Sequence, residues 1–213
     1  MKHTIILNGV RTECSAEMAA AWREMEANKQ KHRKRLLREK KYYDYLLLTF
    51  ERNERFEPFM ALCKVFENDT DYWECLNLVY TDAIWPTGKD ILLRLFKAKR
   101  ANREAFMTKE DQMEFAQMPE ALTIYRGYQK RGKKLGLSWT LSKEKAIWFA
   151  YRWSHRGSPL VAIGTCKKAD VFGYCNDREE QEIVIDPKKI VGISLLTDIG
   201  PSPFERNSEL FSE

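Results

Sequence analysis

Several features are scarce in this 213-residue sequence, and each shortage excludes a class of protein. Only 10 Gly and 7 Pro occur, which excludes collagen-like and low-complexity chains. Uncharged apolar runs such as Tyr45–Phe50 are far below the ~20 residues that a membrane-spanning helix needs. The five Cys form no CxxC pair and only three His accompany them. We therefore expect reduced thiols, with no disulfide framework and no metal site.

The N-terminus gives no sign of a targeting segment. The chain begins Met1-Lys2-His3 and turns polar at Asn8, which is too soon for a signal peptide. Together with the unpaired cysteines, this predicts a cytoplasmic protein without a membrane partner.

The positive charge is concentrated in one short segment. The net charge of the chain is +5, yet residues 29–41 alone hold eight Lys or Arg and one Glu. The rest of the chain is therefore slightly acidic. Two explanations stay open for this segment: a solvated helical arm that packs only through Leu36 and Leu37, or a surface that binds nucleic acid or an acidic partner.

The first half of the chain has helical patterns. A β-hairpin is predicted around Asn8-Gly9, and Ser15 is a suitable N-cap for a helix that continues from Ala16 to about Phe50. A helix of about 35 residues is longer than usual for a globular protein, so we expect residues 1–50 to form an arm. Residues 51–118 are predicted to be helical as well, with helices over Ile91–Arg103, started by Thr87, and over Lys109–Gln117, started by Thr108.

The pattern changes after Pro119. One amphipathic helix, Lys143–Trp153, interrupts a series of short β-rich runs, and the residues from Gly200 to 213 read as a loose polar tail. The runs are Leu122–Tyr125, Leu137–Thr140, Leu160–Thr165, Val171–Tyr174, Glu182–Ile185 and Ile190–Leu196. Helices followed by strands predict an α+β fold, with residues 51–199 as the main domain.

Familiar catalytic motifs do not occur. Gly88-Lys89 lacks the preceding Gly and the following Ser or Thr of a phosphate-binding loop, and the segment Gly136–Thr140 lacks the last Gly of a nucleophile elbow. There is also no HExxH, GxGxxG or Cys/His cluster. Any catalysis must therefore use carboxylates, arginines and hydroxyls.

Three short motifs remain, in a fixed order. They are Tyr125-Arg126-Gly127 at a predicted strand end, Ser138-Trp139-Thr140 at the end of another strand, and Glu180-Gln181-Glu182 leading into the strand Ile183–Ile185. Taken one at a time, each has an ordinary structural explanation: a surface Arg, a helix cap and a solvated strand face. Their conjunction favours a functional site.

The segment from about Glu120 to Asp186 resembles the ADP-ribosyltransferase superfamily, in the branch with an Arg, a Ser-Thr-Ser-like strand and a Glu-x-Glu pair. The resemblance covers roughly a third of the chain and leaves residues 1–118 outside it. Trp139 stands where the family usually has Thr, and we expect its side chain to point away from Ser138 and Thr140. The resemblance implies a core of two packed, mostly antiparallel β-sheets.

The resemblance also implies a role for each motif residue. Glu182 would stabilise the positive charge that develops on the ribose of NAD, and Glu180 would serve the acceptor from the same strand face, 6–7 Å away. Arg126 would bind the diphosphate. The other residues implied in the site are Ser138 and Thr140 beside the ribose, Tyr125 and Gly127 beside Arg126, with Tyr125 mainly a packing residue, and Tyr174, with the loop that follows it, for target recognition.

The implied function is mono-ADP-ribosylation of a macromolecule. NAD would be the substrate, an arginine side chain of a protein the expected acceptor, and a phage or bacterial effector acting on host machinery the expected context. Two alternatives stay open. One is an NAD glycohydrolase, and the other is a non-catalytic protein that binds nucleic acid or protein through residues 29–41.

Overall fold

The structure, a computed structural model, describes residues 3–7, 10–82, 89–130, 136–152 and 154–204. The chain divides into two compact units, which we describe separately. Unit 1 comprises Met1–Glu67 and Leu78–Ile84, and unit 2 comprises Asn68–Asn77 and Trp85–Glu213. This division does not test the functional boundaries predicted at residues 50 and 199.

Unit 1 begins with the predicted hairpin. Strands β1 (His3–Leu7) and β2 (Val10–Cys14) pair antiparallel, with Leu7 opposite Val10. The turn residues Asn8 and Gly9 lie outside the described residues. Helix α1 (Ala16–Arg38) then starts at the predicted cap, since the Ser15 hydroxyl accepts a hydrogen bond from the Met18 amide at 3.2 Å.

The single long helix predicted from Ala16 to Phe50 is wrong. Helix α1 ends at Arg38, and a separate helix α2 covers Tyr42–Thr49. Lys40 adopts a left-handed conformation with φ of 55°, while the Lys41 amide donates to Leu36 and the Lys40 amide to Leu37. These two bonds form a Schellman-type helix end, in which Lys occupies the position that usually holds Gly.

The core of unit 1 forms around α2 and α3 (Phe56–Leu62). Leu46 and Phe59 are fully buried. Arg55 is also buried: its guanidinium is paired with Asp82 and donates to the carbonyls of Leu46 and Leu47, at 3.1 and 2.9 Å. A buried cation thus satisfies the C-terminal carbonyls of α2.

Three further helices precede the β region: α4 (Asp69–Asp82), α5 (Lys89–Phe96) and α6 (Lys109–Gln117). The prediction of one helix over Ile91–Arg103 is wrong, because α5 ends at Phe96. Asp69 accepts from the Ala101 amide at 2.8 Å and pairs with Arg100, so the following segment is held by α4 instead of continuing the helix. Helix α6 has the predicted bounds and the predicted Thr108 cap. Thr87 lies outside the described residues.

The described residues of unit 2 form a six-stranded sheet. Its strands are β3 (Ala121–Gln129), β4 (Ser138–Thr140), β5 (Pro159–Lys167), β6 (Val171–Cys175), β7 (Glu182–Ile185) and β8 (Val191–Leu195). Their order in the sheet is β6-β7-β4-β3-β5-β8, and every strand pair is antiparallel. The α+β class is therefore confirmed. The expected packing of two sheets is not seen among the described residues, where the remaining strands, β1 and β2, form a separate hairpin.

Helix α7 (Lys143–Arg152) covers one face of the sheet. It buries Ala146 and Ala150 against Val161 of β5. The opposite face carries the larger core, which contains Ile124, Trp139 and Ile183. The end predicted for α7, Trp153, lies outside the described residues, as do residues 205–213 of the predicted tail. Among the described helices, none is long and apolar enough to cross a membrane.

Candidate functional site

The three sequence motifs lie on adjacent strands at the centre of the sheet. Strand β4 pairs with β7 on one side and with β3 on the other. Tyr125 is opposite Thr140, and Thr140 is opposite Glu182. Directly opposed residues of antiparallel strands share a face, so Tyr125, Thr140 and Glu182 form one row across the sheet.

Arg126 lies inside a strand and not at the predicted strand end, because β3 continues to Gln129. It is half-buried, and its Nη1 donates a hydrogen bond to the backbone carbonyl of Ser138. Gly136 leaves room for the guanidinium, since a Cβ there would lie within 2.5 Å of the Arg126 Cζ. By strand alternation the side chain of Arg126 starts on the face opposite that of Tyr125. Arg126 thus reaches Ser138 from the other side of the row.

Trp139 points away from the motif row, as predicted. It is 2% exposed, packs in the large core opposite α7, and donates its indole N–H to the Gly136 carbonyl at 3.0 Å. The indole therefore fixes the backbone of the segment that carries Ser138 and Thr140. It has no surface with which to contact a ligand.

Gly127 and Tyr125 serve the packing of α7. A Cβ on Gly127 would overlap the carbonyl oxygen of Ala146, so only glycine lets the helix approach β3 so closely. The Tyr125 ring packs against the cluster formed by Ala146, Ala150 and Val161. For both residues the structure supplies a packing role, which agrees with the interpretation of Tyr125 as mainly structural.

Thr140 connects β4 to the segment that carries Glu180. Its side chain is 5% exposed. The hydroxyl donates to the Glu180 carbonyl at 2.6 Å and accepts from the Ser142 amide at 3.0 Å. Thr140 therefore acts as a positioning residue for the Glu180 backbone and for the start of α7.

Glu180 does not lie on a strand, so the expectation that it shares a strand face with Glu182 is wrong. Strand β7 begins only at Glu182, and the residues on both sides of Glu180 have left-handed conformations, with φ of 53° at Glu179 and 46° at Gln181. This backbone cancels the two-residue alternation that the prediction used. Both Glu180 and Glu182 remain partly exposed.

A polar clasp that the sequence did not reveal holds this loop. Asp111 of α6 accepts from the Asn176 amide at 3.1 Å, and Glu114 accepts from the Asn176 side chain at 3.2 Å. The side-chain oxygen Oδ1 of Asn176 in turn accepts from the Gln181 backbone amide at 3.2 Å. Asn176 thereby connects α6 to the residue between the two glutamates. Asp111 and Asn176 are 65 positions apart, so no local pattern could have shown this contact.

Asp111 is an unusual member of this clasp. It is 4% exposed, and its Oδ2 has no hydrogen-bond partner within the described part of the chain. Burial raises the pKa of the Asp111 carboxyl, and it outweighs the bonds from the Thr108 hydroxyl and the Asn176 amide, which lower the pKa. Keeping the Asp111 carboxyl ionised in the clasp therefore costs free energy.

Tyr174 has no exposed surface. Its ring stacks on Phe115 with a centroid distance of 6.3 Å, and burial, followed by the neighbouring Glu114, raises the pKa of the Tyr174 hydroxyl. This burial argues against the recognition role predicted for Tyr174. The exposed side chains before Glu180 are instead Asp177, Arg178 and Glu179.

Cys175 sits beside Glu182 but is unsuited to thiolate chemistry. It is opposite Glu182 in the β6–β7 pair and is buried. Burial, and then the Glu182 charge, raises the pKa of the Cys175 thiol far above its usual range. A thiol that stays protonated is a poor nucleophile. Cys175 is therefore not a candidate nucleophile.

The residues that the structure describes include no group of three or more His, Cys, Asp or Glu that could hold a metal ion. No protein-family model, no curated protein and no solved structure matches this chain. The ADP-ribosyltransferase interpretation consequently depends on the motifs and on the geometry described above, and it stays a prediction.

Proposed function

We propose that this chain is a mono-ADP-ribosyltransferase that moves ADP-ribose from NAD to a macromolecular acceptor. One observation carries the proposal. The motifs around Arg126, Ser138 and Glu182 are separated by up to 56 residues of chain, yet they lie on three neighbouring strands, with Thr140 directly opposite Glu182. Thr140 and Glu182 share one face, and the guanidinium of Arg126, whose side chain starts on the other face, reaches the Ser138 carbonyl on the strand between them.

Glu182 is proposed as the catalytic residue. In the reaction the bond from the ribose C1′ to the nicotinamide nitrogen breaks, and the electron pair leaves with nicotinamide as a neutral ring. Positive charge then develops on the ribose, and a nearby carboxylate stabilises that charge. Because the leaving group needs no proton, a site without a histidine is sufficient for this step.

Arg126 and Ser138 are proposed to bind the substrate. The planar guanidinium matches the oxygens of a diphosphate, which a lysine would do less well. The bond from Arg126 to the Ser138 carbonyl and the space beside Gly136 fix where the guanidinium lies. Ser138 would then contact the ribose from the strand between Arg126 and Glu182.

Glu180 is proposed to serve the acceptor. When an acceptor nitrogen forms its bond to C1′, it must lose one proton, and the Glu180 carboxylate would take that proton. The acceptor proposed from the Glu-x-Glu pair is an arginine side chain. The exposed residues before Glu180 are Asp177, Arg178 and Glu179, which together carry a net charge of −1, so with Glu180 the loop has a net negative charge that would favour a cation.

NAD glycohydrolysis is the second candidate, and the position of Glu180 favours it. Glu180 lies in a loop instead of on the β7 face, so the structure does not align the two carboxylates along one strand. Water can reach the ribose without an aligned acceptor residue. The two activities differ in what becomes of the ADP-ribose.

The experiment follows NAD labelled in its adenylate half, together with an arginine-rich acceptor protein. Released nicotinamide counts every cleavage, and protein-bound label counts transfer. We expect Glu182→Gln to lower both by about 100-fold or more, because the charge opposite the ribose is removed. Glu180→Gln should abolish protein-bound label while slow nicotinamide release continues. Glu120→Gln changes an exposed glutamate that precedes β3 and has no proposed role, so it is the matched control and should change neither.

Each result of this experiment has a definite meaning. Nicotinamide release without protein-bound label in the unaltered chain would assign NAD glycohydrolysis. Equal loss of both signals in Glu180→Gln would show that Glu180 maintains the site and does not serve an acceptor. Unchanged cleavage in Glu182→Gln would contradict the proposed enzyme.

A further inference from the structure

Four cationic side chains form one face of helix α1. Lys31, Lys34, Arg35 and Arg38 are spaced i, i+3, i+4 and i+7, which places them on a single side of an α-helix and spans about 10 Å along its axis. All four are exposed. We call this set the basic stripe. Two turns toward the N-terminus from Lys31, Glu24 lies on the same face and limits the extent of positive charge.

The opposite face of α1 packs against other residues of unit 1, so the basic stripe faces solvent. Leu36 is 3% exposed. Arg33 donates to the Thr49 carbonyl at 2.7 Å, and its guanidinium lies 4.0 Å from the centre of the Phe50 ring. Arg33 thus belongs to the basic segment of the sequence but not to the stripe. Among the eight cations of the segment, Arg33 is therefore an anchor, whereas the four of the stripe are exposed.

The charges of the stripe are not neutralised within the described residues. None of its four side chains forms an ion pair there, and the one polar side-chain contact is from Arg35 Nη2 to His32 Nδ1, at 3.3 Å. The cations that follow the helix behave differently, since Lys40 pairs with Glu67 at 2.5 Å and Lys41 with Glu39 at 3.3 Å. The stripe therefore keeps a local excess of positive charge.

The composition of the stripe favours phosphates over a protein partner. The centre of a protein interface is usually apolar and depleted of Lys, whereas Lys and Arg are the principal contacts to a nucleic-acid backbone. Single-stranded nucleic acid is bound by aromatic side chains that stack on the bases. Trp22 is the one Trp, Tyr or Phe of α1, and it lies nine positions before Lys31, which is the opposite side of the helix.

We propose that the basic stripe binds the phosphate backbone of double-stranded nucleic acid without reading its sequence. This surface is independent of the proposed enzymatic activity, because it uses no residue of the motif region. Four phosphate contacts predict that the logarithm of the binding constant falls with the logarithm of the salt concentration with a slope of about −3.6. Between 50 and 200 mM salt, affinity should therefore fall by about 150-fold.

The test measures binding of the full chain to a fluorescent 20-base-pair DNA duplex of mixed sequence over that salt range. In one variant, Gln replaces Lys31, Lys34, Arg35 and Arg38. In the control, Gln replaces four exposed lysines outside the stripe, Lys64, Lys109, Lys167 and Lys188, with the same change in net charge. We expect the stripe variant to lose salt-dependent binding, with its slope reduced to near zero. The control variant should keep a slope near −3.6.

Three results would overturn the proposal. The first is no salt-dependent binding by the unaltered chain, and the second is equal loss of binding in the two variants, which would indicate net charge instead of the stripe.

The third result comes from a competition experiment with poly-glutamate at equal charge concentration. If poly-glutamate displaced the duplex as well as unlabelled duplex does, the surface would fit an acidic protein, whereas weaker competition is expected. A single-stranded oligonucleotide should also bind more weakly than the duplex.

Discussion

Thr140 and Lys34 are both polar residues on regular elements, but their surroundings differ completely. The Thr140 hydroxyl is buried and bonded to two backbone groups, whereas the Lys34 ammonium is exposed and has no ion pair among the described residues. Other polar residues of the two regions differ in the same way. Asp111 and Asn176 take part in a bonded clasp, and Arg35 and Arg38 extend an exposed stripe.

The contrast separates two uses of polar groups. Buried, hydrogen-bonded side chains fix the local geometry, and removing them lowers the free energy of unfolding. Exposed charges contribute little to the free energy of unfolding, so removing them is expected to change binding instead of stability. In the motif region hydrogen bonds hold the backbone around Glu180, whereas the basic stripe consists of exposed side chains. Substitutions in the two regions should change different measurements.

Thr140→Val should have the largest effect on stability. Valine has the same shape but cannot donate to the Glu180 carbonyl or accept from the Ser142 amide. Leaving these groups without their partner should lower the free energy of unfolding by about 2 kcal/mol. Urea titration measures this free energy of unfolding. Thr140→Ser keeps the hydroxyl and should lower the free energy of unfolding clearly less. Equal effects of the two substitutions would contradict the positioning role.

Arg33→Gln should have the next largest effect, although it lies in the basic segment. It removes the bond to the Thr49 carbonyl and the contact with Phe50. Together these should be worth about 1–2 kcal/mol. Lys34→Gln, the adjacent control, should change stability by less than about 0.5 kcal/mol. A destabilisation by Lys34→Gln as large as that by Arg33→Gln would remove the division between anchor and stripe.

Asp111→Asn should change the pH dependence of stability. Burial raises the pKa of the Asp111 carboxyl. At pH values between its unfolded and its folded pKa, the folded state therefore holds a proton that the unfolded state has released. The contribution of this carboxyl is complete below its unfolded pKa and is lost as pH rises through its folded pKa. Asparagine does not ionise and still offers an oxygen to the Asn176 amide.

Unfolding of both proteins at pH values between about 3.5 and 7 measures this difference. The stability of Asp111→Asn relative to the unaltered chain should increase as the pH rises over that range. Glu110→Gln, which changes an exposed carboxyl of the same helix, is the control for a general effect of charge on stability. A relative stability that falls with rising pH would mean that the ionised carboxylate is favoured in the folded state.

The β region was largely predictable, because short apolar runs separated by polar turns have a local signature. Strand β7 has the predicted bounds, and Trp139 points away from Thr140, as strand alternation requires. The end of α1 was not predictable in this way. A left-handed residue at a helix end is usually Gly, and Lys40 carries no such signal.

The sequence names the motif residues of the candidate site, whose roles stay predictions, but it does not show the contacts around them. The motifs indicated Arg126, Ser138 and Glu182, and pairing of β3, β4 and β7 brings them to neighbouring strands. The left-handed residues around Glu180 and the clasp from Asp111 depend on contacts that form only in the folded chain. Sequence alternation therefore placed Glu180 incorrectly, since it assumes that a strand continues.

The most direct test of the central claim is the release of nicotinamide from NAD by the purified full chain, with and without an acceptor protein, compared with Glu182→Gln. We expect release by the unaltered chain and a rate lower by about 100-fold or more in the variant, which should remain folded because Glu182 is partly exposed at the start of β7. Absence of release under every acceptor condition, or equal rates in the two proteins, would contradict the assignment of Glu182 as the catalytic residue of an NAD-dependent enzyme.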